Sequence, residues 1–356
     1  MNVVYIVADA PKEFNSSNWR CMIPAKAINS LPDHNAYTVE VADFLARGKM
    51  TKSLCEKADV IVLQRNLDFN AAKEIMYWRS MGHVVVLDLD DAYAFMDQST
   101  PQYEHWHKGL IGTKNGEKVY HQVPFYQQLL ATIQVVNAIT APSQVIINDW
   151  ADFNYGYCMP NYLDTGNYKV DRPFPNRAIV IGWGGSTSHL KSWADSRLVS
   201  AIKKVVSAHD NVVLGIAGNE KVFDYVRQQI PGKTFFWPWV GFEKWPNTLN
   251  QFDIGLAPLT GKYDERRSPI KVLEYMLMGI PWIASDISPY KQLRDFGTLC
   301  TWSQSSWMEA LDHYVTNLDE LRKVTGPGIE FVKEQDAFKN ANNIIAVYQK
   351  IIEEAQ

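Results

Sequence analysis

Four side chains suited to holding a phosphorylated ligand fall close together at Arg267, Ser268, Lys271 and Glu274. Ser268 followed by Pro269 reads as a helix start: a hydroxyl to cap orphan amides, and a ring that fills the first helical position without wasting a donor. Gly279 followed by Pro281 reads as the matching stop. Ile270, Leu273 and Leu277 recur at helical spacing and form the stripe to be buried. The expected helix, Ile270–Met278, is reached from a strand (Phe252–Pro258) through a polar loop (Leu259–Arg267) and leads to a second strand (Pro281–Ser285). The amide N–H groups of Ser268 and Ile270, on either side of Pro269, and the helix dipole suit a phosphate. Lys271 stands in the first turn, and Glu274, three residues on, shares its face. A diphosphate at the amides and a ribose diol at the carboxylate fit this layout. So does a plain strand–helix–strand unit whose Lys–Glu pair is worth roughly 0.2–0.5 kcal/mol, and spacing alone favours the plain unit.

A second candidate is Ile181–Trp193, IGWGGSTSHLKSW. Gly184 and Gly185 would let a backbone approach an oxygen-rich ligand, with Ser186, Thr187 and Ser188 as hydroxyl donors. An ordinary glycine turn capped by Ser or Thr explains the run equally well. Neither the P-loop order nor a full G-x-G-x-x-G is present. Gly218, in Ala217-Gly218-Asn219, ends the next strand at the sheet edge where a nucleotide would lie, or is a turn into a helix over Glu220–Gln229.

In the first half, Val84–Asp91 (VVVLDLDD) sets Asp88, Asp90 and Asp91 at the carboxyl end of a strand, where open sheets place their sites. Asp90 or Asp91 would orient an acceptor hydroxyl or act as a base; capping of a following turn, Ala92–Met96, is the simpler alternative. Arg20, in SNWRCMIP, starts a helix, and a surface ion pair is the commoner fate of an arginine. His105 and His107 flank Trp106 in a stretch, Gln98–Gln122, that reads as an irregular loop without a third metal ligand.

The elements that must position these residues alternate strand and helix. Val3–Val7, Val39–Val41, Val60–Leu63, Val84–Leu89, Val135–Thr140 and Tyr157–Met159 read as strands apolar on both faces, the pattern of a covered parallel sheet. Trp19–Ser30, Asn70–Met81 and Ser143–Ala151 are the helices expected between them. Residues 1–162 form one such domain, and 163–177, rich in Asn and Pro without periodicity, read as a linker. The pattern restarts over 178–334, with strands Ala178–Gly182, Val212–Ile216, Thr234–Trp237, Asp253–Ala257, Pro281–Ala284 and Thr298–Cys300. Residues 335–356 read as a terminal helix. The fold class is α/β, with two doubly wound Rossmann-like domains.

With 356 residues, 46% of them hydrophobic, the chain is long enough for two cores, and its net charge of −4 without basic runs gives no footprint for a dedicated nucleic-acid binder. The N-terminus reads as a buried strand rather than a signal peptide, and no apolar run approaches the roughly 18 residues needed to span a bilayer. Four scattered cysteines fit a reducing cytoplasm better than a disulfide framework or a zinc site.

The run LAPL…RRSPIKVLEYMLMGIPWIASD resembles the donor-site signature of retaining GT-B glycosyltransferases, the large family that includes sucrose synthases and many mannosyl- and glucosyltransferases. The family's E-x7-E motif would place its first Glu at position 266, where this chain carries Arg266; its closing Glu, which binds the donor ribose, matches Glu274. The chain is most similar to a subset with an S-x-I-K-x-x-E-Y core. The resemblance is specific over about 179–290. It implies two domains facing a cleft, a C-terminal helix crossing back to the first domain, and transfer from a nucleotide-diphosphate sugar (UDP- or GDP-linked) with retention. No metal or other cofactor is implied. It puts Gly184, Gly185, Ser186 and Lys191 at the donor phosphates, with Arg20 reaching them from the first domain. The acceptor stays open among glycan, lipid, small molecule, protein and modified DNA. A sugar-nucleotide epimerase of the same fold, or a non-catalytic nucleotide- or glycan-binding scaffold, are the alternatives. The family's Gly-Gly loop after the first strand is missing here.

Overall fold

The computed structural model describes residues 1–9, 14–65, 68–98, 100–171 and 178–355. Pro173, Pro175 and Arg177, read above as linker, lie outside the described residues. The chain divides into two compact units, Met1–Asp164 with Asp336–Gln356, and Thr165–Gln335.

In the first unit the strands are β1 (Asn2–Val7), β2 (Asn35–Glu40), β3 (Val60–Gln64), β4 (Val84–Asp88), β5 (Leu110–Lys114), β6 (Glu117–Tyr120), β7 (Ala138–Ala141) and β8 (Gly156–Cys158). Six form a parallel sheet in the order β2-β1-β3-β4-β7-β8. Val3–Ile6, Val60–Leu63 and Val85–Leu87 are buried without alternation, because helices cover both faces. The chain turns from one side of β1 to the other, so β1 and β3 flank the switch point of the sheet.

The C-terminal helix, Ala341–Ala355, belongs to this unit and packs on the helix Ile23–Ile28 and on β4. It buries Ile344, Ile345, Tyr348 and Ile351, and the Tyr348 hydroxyl donates to that of Tyr5 at 3.0 Å. It starts later than its apolar periodicity predicts. The Asp336 carboxylate turns back to accept from the amides of Phe338 and Lys339, and Leu163 bridges to Asp336, holding 336–340 in a turn.

Three other expectations shift. Val41 opens a helix, Val41–Leu45, and the strand before it runs Asn35–Glu40. Val135 ends the helix Phe125–Val135, so β7 begins only at Ala138. The stretch read as an irregular loop holds a helix, Pro101–Lys108, capped by Thr100, and the antiparallel hairpin β5–β6 around Asn115-Gly116, both at positive φ.

The second unit contains β9 (Ile179–Gly185), β10 (Val212–Gly218), β11 (Thr234–Pro238), β12 (Ile254–Ala257), β13 (Trp282–Ser285) and β14 (Thr298–Cys300), all parallel, ordered β11-β10-β9-β12-β13-β14. This is the classic doubly wound order, and its switch point lies between β9 and β12. The residues after Asp164 are docked on this unit: Asn167 donates to the Phe242 carbonyl at 3.2 Å, the Asp171 amide to Asn250 at 2.9 Å, and Asn250 back to the Lys169 carbonyl at 3.0 Å.

Candidate functional site

The second unit brings its candidates together at the carboxyl ends of β9 and β12. β12 delivers the chain through a loop to the helix Ile270–Leu277. Pro269, not Ser268, takes the N-cap position, so the expected serine cap is replaced by a residue with no capping side chain. The exit is as read from sequence: Gly279 sits at φ +61, the left-handed conformation of a residue that closes a helix.

Glu274 lies on the buried side of this helix, 5% exposed. Its Oε1 accepts from the Tyr168 hydroxyl at 2.7 Å and from the Trp245 indole N–H at 2.8 Å. Burial pushes its carboxyl up to about 7, against the opposing pull of Tyr168, Lys271 and Trp245. Lys271 donates to the Gly184 carbonyl, with its ammonium 5.1 Å from the centroid of the Trp183 ring. Burial pulls it down to about 8; Glu274 opposes that shift and Arg267 adds to it. The pair is therefore no solvated surface salt bridge, and the plain reading of the Lys–Glu spacing does not describe it.

Arg267 is held from three sides. Its Nε donates to Asp264 Oδ1 at 2.7 Å, its Nη2 to Ser188 Oγ at 2.9 Å, and its guanidinium lies 4.9 Å from the centroid of the Tyr263 ring. Ser188 belongs to the loop after β9, so this arginine ties the two loops of the switch point together. His189, in the same loop, is buried with its ring edge-on to Trp183. Burial, then Arg267 and Lys271, drive its pKa well below the ordinary value, so the imidazole is neutral. Among the described residues its Nδ1 has no hydrogen-bond partner.

The glycines at the ends of β9 and β10 serve packing first. A side chain on Gly184 would start 2.2 Å from a ring carbon of Trp245, one on Gly185 2.8 Å from Trp183, and one on Gly218 2.6 Å from Trp239 and 2.8 Å from the Gly185 carbonyl. The space expected for a ligand backbone contact is, at these three Cβ positions, filled by indole rings. Ser186 and Ser188 share a hydrogen bond at 2.8 Å, and Asn219 reaches Thr187 at 2.7 Å, linking the ends of β9 and β10. Lys191 stands apart, half exposed on its helix and 3.0 Å from Asp195.

Sequence reasoning passed over Tyr168, Trp245, Ser192 and Asp264. Only Asp264 left a local signal, three residues ahead of Arg267. The other three lie far from the helix in sequence.

The first unit holds its own polar cluster. Arg20 and Asp88 are turned inward: both are 2% exposed and form a two-pronged pair at 2.9 and 2.7 Å. Thr140 also donates to Asp88 at 2.7 Å, and Arg20 spends Nη1 on the Met159 carbonyl and Asn161. The placement of Arg20 and Asp88 on the phosphate side is thus replaced by an internal role, since the guanidinium alone neutralises a carboxylate removed from water. Asp90 lies at the sheet's switch point with two residues not singled out above, Asp9 after β1 and Arg65 after β3. Arg65 pairs with Asp9 and, at 3.4 Å, with Asp90, while Tyr93 donates to Asp90 at 2.9 Å. Burial would raise the Asp90 pKa, but Arg65, Ser16 and Tyr93 outweigh it and hold the carboxylate below its ordinary value. Asp91 turns onto the adjacent Ala92 amide at 2.9 Å; the turn that follows, Tyr93–Phe95, has Ala92 at its N-cap and no side-chain cap. His105 and His107 bond to the carbonyls of Leu110 and Tyr93. No group of three or more potential metal ligands occurs among the described residues, and no described helix is long and apolar enough to cross a membrane.

Comparison with known proteins adds the following. Residues 179–317 match the family model "Glycosyl transferases group 1". No curated protein matches the chain. Among solved structures, the sucrose-phosphate synthase of Thermosynechococcus elongatus is similar at a TM-score of 0.66 and 10% identity, over 99% of both chains. A glycosyltransferase of Rickettsia africae ESF-5 is similar at 0.67 and 11%, over 99% of this chain and 98% of the other. The lipopolysaccharide outer core galactosyltransferase WaaB is similar at 0.57 and 14%, over 98% of this chain and 99% of the other. At these identities the likeness is one of fold, and it is to two-domain GT-B structures. With a group 1 glycosyltransferase domain filling most of its second unit, this chain is a glycosyltransferase of GT-B fold.

Proposed function

We propose that the protein moves a sugar from a nucleotide-diphosphate sugar, UDP- or GDP-linked, to an acceptor hydroxyl, with retention and without a metal. The observation that carries this reading is the convergence at one switch point of Glu274, Lys271 and the clamped Arg267. In the proposed complex Glu274 takes the ribose diol. The amide N–H groups of Ser268 and Ile270, with Lys271 and Arg267, take the diphosphate. Negative charge grows on that diphosphate as the glycosidic bond breaks, and cations already in place lower the barrier. The helix dipole and two side-chain cations supply the charge that a metal supplies elsewhere. On the acceptor side we assign Asp90, an ionised carboxylate at the switch point of the first unit, to orient the hydroxyl that attacks or accept its proton. Four free cysteines suit a cytoplasmic enzyme.

Thermal unfolding with UDP, GDP, ADP, TDP and their common sugars tests the donor. A ligand at 100 times its dissociation constant adds about 2.7 kcal/mol, a readable shift. A selective shift names the base; no shift with any of them removes the donor site. Nucleotide release that depends on an added acceptor separates transfer from epimerisation, and NMR of the product's anomeric proton reports retention.

A further inference from the structure

Asp264 is buried in the loop between β12 and the helix Ile270–Leu277, and every contact it makes points to one task. Its Oδ2 accepts from the Thr260 amide at 2.7 Å and from the Ser192 hydroxyl at 2.6 Å. Its Oδ1 accepts from Arg267 Nε at 2.7 Å, and its carbonyl accepts from the Arg267 amide at 3.2 Å. One oxygen therefore anchors the carboxylate to its own loop and to the helix Leu190–Asp195, while the other holds the guanidinium. Gripped at Nε, the planar group directs Nη2 to the loop after β9, where it meets Ser188. An arginine left on a flexible stem would lose rotamer freedom on meeting a ligand; here that loss is taken on folding. The proximity of Arg267 to His189 and Lys271 shows in the shifts it causes on both.

We propose that Asp264 is a positioning residue that presets the Arg267 guanidinium toward the loop after β9 for the diphosphate of the donor, an assignment that rests on the donor-site reading above. It touches no ligand itself and acts only through Arg267.

The test is a double-mutant cycle on the full chain, read as the dissociation constant of whichever nucleoside diphosphate the thermal panel selects. Arg267→Ala weakens binding by roughly 10- to 100-fold, the loss expected for a charge-assisted hydrogen bond. Asp264→Asn keeps an acceptor for Ser192 and Thr260 but turns a donor toward Nε, and weakens binding about tenfold by itself. In the Arg267→Ala background the same change costs less than about twofold, because nothing remains to position. Additive losses in the cycle, or wild-type affinity in Asp264→Asn, overturn the proposal. Unchanged affinity in Arg267→Ala instead removes Arg267 from the donor site, a separate failure. Should Asp264→Asn not fold, Arg267→Lys keeps the charge and loses the fork; affinity within about twofold of wild type in that variant overturns the proposal as well.

Discussion

The Trp245 indole is fixed at both ends: its N–H donates to Glu274 at 2.8 Å, and its ring fills the place where a Gly184 side chain would stand. The glycine end of β9 and the proposed ribose ligand are thereby one mechanical unit. A methyl at position 184 would start 2.2 Å from the ring, so the indole must shift and take its N–H from Glu274. Gly184→Ala is expected to destabilise the protein by about 1–3 kcal/mol and to weaken nucleotide binding. Urea melts and calorimetric titration check the two effects; unchanged values in both would uncouple the strand end from the carboxylate.

Glu274 and Lys271 should fail differently. With Glu274 on the ribose as proposed, Glu274→Ala removes a contact made equally before and during transfer, so it raises the donor KM with a smaller change in kcat. With Lys271 on the diphosphate as proposed, Lys271→Ala removes charge needed as the leaving group forms, and lowers kcat by about 100- to 1,000-fold. Steady-state kinetics of the purified variants decide, and wild-type activity in both would sink the site.

Burial also makes this pair sensitive to pH. With its carboxyl up at about 7, Glu274 in the folded chain keeps a proton that the unfolded chain has already lost. Its contribution to stability therefore declines from the ordinary carboxylate range up to pH 7. Lys271 runs in the other direction: from about 8 to the ordinary lysine range the unfolded chain holds the extra proton, and stability climbs with pH. Nucleotide affinity is expected to fall above about pH 8, as Lys271 loses its charge. Measuring the dissociation constant against pH in wild type and in Lys271→Arg, which stays charged, checks this; the variant should lack the alkaline fall.

The Arg20–Asp88 pair belongs to the frame of the first unit. Removing one partner leaves the other charge buried, so Arg20→Ala should cost about 3–5 kcal/mol in a denaturant melt. Nucleotide affinity of the folded fraction should stay at the wild-type value. Normal stability with lost affinity would return Arg20 to the phosphates.

Asp90 and Asp91 are adjacent yet differently employed. Asp90→Asn is expected to lower acceptor-dependent turnover by about 100-fold or more, without changing nucleotide affinity. Asp91→Asn, whose side chain keeps its bond to the Ala92 amide, should change turnover little. Equal losses in the two variants would contradict the assignment.

Much of the frame was legible because it rests on strong local patterns. Unbroken Val and Ile runs gave β1, β3 and β4, and Gly279 marked a helix end that only a left-handed residue makes cheaply. The hairpin β5–β6 escaped because its residues are mostly exposed and carry no apolar alternation, although Asn115-Gly116 was the available sign. The late start of the last helix escaped because a side chain, Asp336, competes for backbone amides that periodicity assigns to the helix. For the site, Lys271 and Glu274 could be named from the run's resemblance to a donor-site signature, since their spacing alone fits a plain surface pair. Tyr168 and Trp245 could not, since they reach Glu274 from 106 and 29 residues away and leave no trace at that distance along the chain. Nor can sequence distinguish a glycine that admits a ligand from one that admits an indole.

That last pairing bears on how such chains diverge. In the second unit Phe252 lies against Gly182, Trp245 against Gly184, Trp237 against Gly215 and Tyr275 against Gly255, each too close for a methyl group. Neither partner can drift alone: a larger residue at the glycine needs a smaller one in place of the ring, in the same lineage. Homologues of this chain should therefore exchange these positions in couples, and a pair that changes together would betray the contact with no coordinates at all.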